Sequence, residues 1–146
     1  IPEEFGNLIS MVDLELSGNN LSGVIPASLG NLRNLIYLYL HKNQLTGPIP
    51  KEFGNLSSMV DLELSDNSLS SVIPPSLGDM RTLAYLYLYN NQLSGPIPNV
   101  SSLIQLEQMF LSMNKLSMSI PPGIQQCSKL HLLNLSNNQL SKKIPM

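Results

Sequence analysis

Leu35-Ile36-Tyr37-Leu38-Tyr39-Leu40-His41-Lys42-Asn43-Gln44-Leu45-Thr46-Gly47-Pro48-Ile49-Pro50 decides the fold. Leu38 and Leu40 alternate with Tyr37, Tyr39 and His41, the period of two expected of a short strand with one buried face. The stretch ends in Ile-Pro. That dipeptide recurs at Ile1-Pro2, Ile25-Pro26, Ile49-Pro50, Ile73-Pro74, Ile97-Pro98, Ile120-Pro121 and Ile144-Pro145, spaced 24, 24, 24, 24, 23 and 24 residues. A fixed period of this size makes the chain an array of stacked units without a central core. Identical strands recurring once per unit must stack in parallel, about 4.8 Å apart. The functional question is then what the repeated face displays.

Working outward, six units begin their strands at Met11, Leu35, Met59, Leu83, Leu106 and Leu130. The strands are expected to centre on Leu14, Leu38, Leu62, Leu86, Met109 and Leu133. An Asn column follows without exception: Asn19, Asn43, Asn67, Asn91, Asn114 and Asn138. Where a strand turns away, backbone groups lose their ladder partners, and a short amide offers donors and an acceptor there. Gly23, Gly47 and Gly95 precede Ile by two residues and permit positive φ, with Ser71, Met118 and Lys143 assigned to the same column. A second apolar set on the return path pairs Phe5 with Leu8, Leu29 with Leu32, Phe53 with Leu56, Leu77 with Met80, Val100 with Leu103 and Ile124 with Cys127. Its spacing of three predicts a 3₁₀ turn, not a long helix. Superimposed is a longer period: residues 3–50 and 51–98 differ at 13 of 48 positions, as a duplicated two-unit block would.

The consensus Leu-x-x-Leu-x-Leu-x-x-Asn-x-Leu-(Ser/Thr)-Gly-x-Ile-Pro-x-x-(Leu/Phe)-Gly-x-Leu resembles the plant-type leucine-rich repeat and covers essentially the whole chain. The resemblance implies an α/β repeat solenoid with a parallel sheet on its concave face, a second short strand near each Ile-Pro, and a 3₁₀ or irregular convex face. It also implies extracellular recognition domains: receptor-like kinases, receptor-like proteins and polygalacturonase inhibitors. Ser58–Ser65 and Leu83–Tyr89 look closest to the male-discoverer-interacting receptor-like kinase group. Members of that group carry a membrane span and a kinase, and neither is present in these 146 residues. Residues 1–146 read as a single solenoid of six strand-bearing units, and the end caps usual in such ectodomains are not evident. The uncapped ends, with Phe5 and Leu8 at one and Leu140 and Ile144 at the other, are expected to invite self-association.

Net charge is −2, which gives nucleic-acid binding no support, and no apolar run reaches the ~18 residues of a membrane span. Cys127 is alone, so no internal disulfide or multi-cysteine zinc site is expected. It stands in a column of Leu and Met and reads as a small buried hydrophobe. His41 and His131 fall almost four units apart, too far to share a metal or a proton relay. Asp13/Glu15 and Asp61/Glu63 are carboxylate pairs on strand faces expected to be too open to raise a pKa for acid catalysis. There is no Gly-rich phosphate loop and no Gly-x-Ser-x-Gly elbow. No catalytic residue, metal or cofactor is expected.

The inward leucines leave four outward columns facing the concavity. They run Asp13, Tyr37, Asp61, Tyr85, Gln108, Leu132; then Glu15, Tyr39, Glu63, Tyr87, Phe110, Asn134; then Ser17, His41, Ser65, Tyr89, Ser112, Ser136; and lastly Gly18, Lys42, Asp66, Asn90, Met113, Asn137. All five tyrosines lie here. Tyr couples large contact area to two side-chain torsions and a polar tip. One reading is that cross-strand Tyr–carboxylate pairs only stabilise the sheet. The preferred reading makes Tyr37, Tyr39, His41, Asp61, Glu63, Tyr85, Tyr87, Tyr89 and Phe110 a contact surface for a peptide or protein, with Tyr hydroxyls donating to Asp61 or Glu63. Alternatives are an inhibitor of a cell-wall-degrading enzyme and a structural or ice-interacting array, the latter poorly served by only Thr46 and Thr82. Asn20, Asn55, Asn99 and Asn134 head Asn-x-Ser sequons and are glycosylation candidates.

Overall fold

The computed structural model describes residues 1–142 and residue 144. Each unit gives one strand to each of two parallel six-stranded sheets. The first sheet runs β1 (Asp13–Glu15), β3 (Tyr37–Tyr39), β5 (Asp61–Glu63), β7 (Tyr85–Tyr87), β9 (Gln108–Phe110) and β11 (Leu132–Asn134), in that spatial order. The second runs β2 (Ser22–Val24), β4 (Gln44–Gly47), β6 (Ser68–Val72), β8 (Gln92–Pro96), β10 (Lys115–Met118) and β12 (Gln139–Leu140). Register in the first sheet is unslipped: Leu14, Leu38, Leu62, Leu86, Met109 and Leu133 pair in one row. A slip of one residue would turn every buried leucine outward, so the pattern pins the pairing.

Between the sheets lies a core of Leu, Ile, Val and Met. Leu35, Leu38, Leu40, Leu45, Leu62, Leu64 and Leu69 are fully buried, and Phe53 seals the return side. The return segments Glu3–Asn7, Ala27–Asn31, Lys51–Asn55, Pro75–Asp79 and Pro122–Gln126 are 3₁₀ helices, each preceded by a Pro. The fifth return departs from the expected 3₁₀ segment. Having lost one residue, it keeps a single turn closed by Leu103 N–H donating to Val100 O at 2.9 Å.

The Asn column bridges neighbouring units. Asn67 Oδ1 accepts from Leu45 N at 2.9 Å, while Nδ2 donates to Leu40 O, Leu64 O and Ser65 O at 3.0, 3.2 and 3.2 Å. Asn43, Asn91, Asn114 and Asn138 repeat this pattern, each amide satisfying one N–H and a set of carbonyls where the strand ends. At Gly30 a Cβ would stand 2.5 Å from Glu52 O of the next return segment, so glycine sets how closely successive returns stack. The glycine column near Ile-Pro has positive φ, as expected, and so do Ser71, Met118 and Lys142, all at 70°. The sixth-unit member is thus Lys142, two residues before Ile144; Lys143 lies outside the described residues.

Candidate ligand-binding face

Strand pairing sets carboxylates against tyrosines in two rows of the first sheet. Tyr37 lies between Asp13 and Asp61, which in turn faces Tyr85. Tyr39 lies between Glu15 and Glu63, which faces Tyr87 and then Phe110. The pairing is mostly diagonal in its hydrogen bonds. Tyr39 Oη donates to Asp61 Oδ2 at 3.0 Å, Tyr85 Oη to Glu107 Oε2 at 3.0 Å, and Tyr87 Oη to Gln108 Oε1 at 2.6 Å. The expected bond to Asp61 is therefore present. Glu107 and Gln108 were not foreseen as acceptors, because Glu107 stands one place before the columns that alternation singles out. The rings also order one another: Tyr37 and Tyr39 stack with centroids 6.2 Å apart, His41 meets Tyr39 edge-on at 6.3 Å, and Phe110 meets Tyr87 edge-on at 5.3 Å. Glu63, Tyr87, Tyr89, Phe110, Ser112 and Asn134 enclose a groove of about 270 Å³.

Two expectations about this face need correction. The third column is not uniformly exposed: Ser65 is fully buried and Ser112 nearly so. The short hydroxyl of Ser65 folds back on the Glu63 carboxylate two residues earlier, and Ser65 N–H donates to the same oxygen at 3.1 Å. Nor is the face too open to desolvate a carboxylate. Burial pushes the Asp61 carboxyl above its ordinary range, against the opposing bond from Tyr39. Burial likewise raises Glu63, against the opposing bonds from Ser65. Burial and the bond to Asp61 raise the Tyr39 hydroxyl as well. Tyr85 is raised chiefly by its bond to Glu107, and Tyr87 by burial.

Asp61 Oδ1 and His41 Nδ1 are buried and, among the described residues, have no hydrogen-bond partner. His41 and His131 are separated by strands β5, β7 and β9. Cys127 is buried, with Sγ 3.4 Å from Val100 O and its thiol pushed up by burial, the environment of a core residue. Asn20, Asn55, Asn99 and Asn134 are all exposed, though Asn134 sits on the concave strand β11 with Oδ1 accepting from Ser136. A second groove, about 580 Å³ and missed by the strand reading, runs along the flank beside Val24, Pro26, Pro48, Pro50, Val72 and Pro74. Its signal lay in the 48-residue period, which repeats Val24 as Val72.

Parallel strand ladders, 3₁₀ returns and an amide ladder define a repeat solenoid. The leucine-rich-repeat family models match residues 37–93 in one case and 10–32, 105–127 and 129–146 in another, and the chain belongs to that family. Receptor-like protein 52 of Arabidopsis thaliana is 49% identical over 47 residues, 32% of this chain and 6% of its own length. The ectodomain of the Arabidopsis thaliana receptor kinase GASSHO1/SCHENGEN3, solved with CASPARIAN STRIP INTEGRITY FACTOR 2, superposes with a TM-score of 0.98 at 40% identity, over 99% of this chain and 18% of that one. The peptide hormone receptor RGFR1, solved with RGF2, gives 0.96 at 41% identity over 99% and 23%. A plant ice-binding protein gives 0.86 at 28% identity over 96% and 53%. The chain thus spans 6% of the curated relative and under a quarter of these two receptors.

Proposed function

We propose that this chain is an extracellular recognition module that binds a peptide along its concave sheet. The observation that carries the reading is the gathering of all five tyrosines on that sheet, three with hydroxyls already held by acceptors in the following unit. Rings fixed in this way lose little freedom on binding, which is what contact residues require. Tyr37, Tyr39, His41, Asp61, Glu63, Tyr85, Tyr87, Tyr89 and Phe110 form the proposed contact set. The similarity to a receptor-kinase ectodomain solved with CASPARIAN STRIP INTEGRITY FACTOR 2 and to a peptide hormone receptor solved with RGF2 supports this reading and, with it, a cell-surface setting for the parent protein. Resemblance to the male-discoverer-interacting group rests on Ser58–Ser65 and Leu83–Tyr89 alone. In the isolated chain, association between ends rests on exposed Leu8 and Ile144, since Phe5 and Leu140 are half-buried against the core, and is read by sedimentation velocity.

A random peptide library screened against the chain tests the reading. Binders should be lost with Tyr85→Ala plus Tyr87→Ala, since aromatic anchors cost about 2 kcal/mol or more each when truncated. They should survive Arg81→Ala on the return path. Binders that survive loss of both tyrosines but not of Arg81 would falsify the concave assignment.

A further inference from the structure

We propose that the partner of the concave face is an extended basic peptide segment read through its arginines, a proposal that rests on the peptide-binding reading above. The first support is charge segregation. The chain carries ten carboxylates, and six of them, Asp13, Glu15, Asp61, Glu63, Asp66 and Glu107, belong to the strands and strand ends of this one sheet. Of the described Lys and Arg, only Lys42 stands in the four outward columns, with Lys129 three residues ahead of β11. A net charge of −2 therefore hides a strongly anionic face. Burial around Asp61 and Glu63 weakens solvent screening, so a cation arriving there feels more of their field. An acidic segment would meet like charge at every second strand.

The second support is the direction of the hydrogen bonds. Tyr39, Tyr85 and Tyr87 have committed their hydroxyl protons to Asp61, Glu107 and Gln108. What these residues still offer is oxygen lone pairs and the negative faces of their rings, and both select donors and cations. Asp61 Oδ1 also lacks a donor. Guanidinium satisfies this combination better than ammonium: its plane stacks on a ring while its N–H fork engages a carboxylate. The groove beside Glu63, closed by Tyr87, Tyr89 and Phe110, has both features within one volume of about 270 Å³. From β1 to β9 the face spans four strand steps, roughly 19 Å at the usual spacing. An extended peptide of about six residues covers that distance.

Three acetylated, amidated probes, Arg-Gly-Arg-Gly-Arg, Lys-Gly-Lys-Gly-Lys and Glu-Gly-Glu-Gly-Glu, test the proposal by calorimetry against the folded chain. The arginine probe should bind more tightly than the lysine probe, lose affinity as salt rises, and lose about tenfold or more with Asp61→Asn plus Glu63→Gln. Both substitutions keep acceptor oxygens, and circular dichroism checks that the fold is retained. Neutralising Glu3 and Glu4 on the first return segment, as Glu3→Gln plus Glu4→Gln, should change affinity less than twofold, about the ceiling for exposed charges far from a contact. Equal losses from the two double variants, or absence of arginine-probe binding at low salt, would overturn the proposal. If library binders prove acidic or uncharged yet depend on Tyr85 and Tyr87, the basic-segment proposal falls and the concave reading stands. If binders of any charge depend on Arg81 instead, both fall.

Discussion

Asn67→Ala tests what holds the array together, and its cost can be located atom by atom. Removing the amide takes three donors' worth of contact from carbonyls and one acceptor from an N–H. Each carbonyl keeps a second partner: Leu40 O retains Asn43 Nδ2 at 3.1 Å, Leu64 O retains Asn91 Nδ2 at 3.1 Å, and Ser65 O retains Lys42 N at 3.1 Å. Leu45 N–H donates to Asn67 Oδ1 and loses that acceptor. The loss is therefore dominated by one orphaned backbone donor, about 1–3 kcal/mol. Neighbouring units depend on each other, so the effect is felt by the whole array. Urea unfolding followed by circular dichroism would show a lowered midpoint at unchanged slope. Ser68→Ala next door should shift stability by less than about 0.5 kcal/mol, as surface changes do. Asn19→Ala should cost less than Asn67→Ala, because Asn19 donates to Leu16 O and Ser17 O without rescuing an N–H, and Leu16 O keeps Asn43 Nδ2 at 3.0 Å. Asn67→Asp keeps an acceptor for Leu45 but aims an anion at three carbonyls, so it should be worse than Ala at neutral pH and recover in acid. Equal midpoints for Asn67→Ala and Ser68→Ala would refute the reasoning.

Acid titration of stability supplies a second test. With Asp61 and Glu63 raised by burial, the folded chain holds protons that the unfolded chain releases, so their contribution is full below the ordinary carboxylate range near pH ~4 and is lost as pH rises through the raised values. Asp61→Asn should then leave the thermal midpoint unchanged in acid and raise it at neutral pH; a lowered neutral midpoint would contradict the desolvation argument. Gly30→Ala should destabilise by about 1–3 kcal/mol, because its Cβ meets backbone 2.5 Å away, whereas Gly18→Ala meets nothing within 4 Å and carries only the strain of φ +66°. Identical costs at the two glycines would remove the stacking explanation.

Fold and register were legible because one alternation, repeated six times, leaves no other pairing that sets Leu14 through Leu133 in one row. Leu14 through Leu133 align as the period requires, and the Asn column bridges units as its chemistry requires. The face was legible in membership but not in detail. Position along a strand says which way Tyr85 points; it does not say that its hydroxyl reaches Glu107, which depends on how far a side chain leans along the strand. The burial of Ser65 was hidden because it does not follow from local bonding: Ser17 makes the same bonds to the carboxylate two places earlier and is only half-buried. The shortened fifth return was visible as a missing residue, but only the structure shows that the 3₁₀ segment gives way there.

Glu15 and Glu63 show how much of the chemistry belongs to neighbours and not to the residue. They occupy the same column, follow the same Met-Val-Asp-Leu sequence, and each bonds a serine two residues on. Yet the Glu15 carboxyl is held below its ordinary range by its bond to Ser17, whereas Glu63 is pushed above it by burial. The local bonds are alike, so they cannot set the difference. What differs is that β5 has tyrosine-bearing strands on both sides and β1 has one on a single side. A duplicated two-unit block therefore yields two chemically distinct copies of one face. The inner copy, with Tyr39 and Tyr87 flanking Glu63, is the one in which an incoming cation gains most, because the carboxylate there is half-buried and less screened by water. That asymmetry places the centre of the proposed contact at β5 and β7, not at β1 and β3, although the sequences of the two pairs are nearly the same.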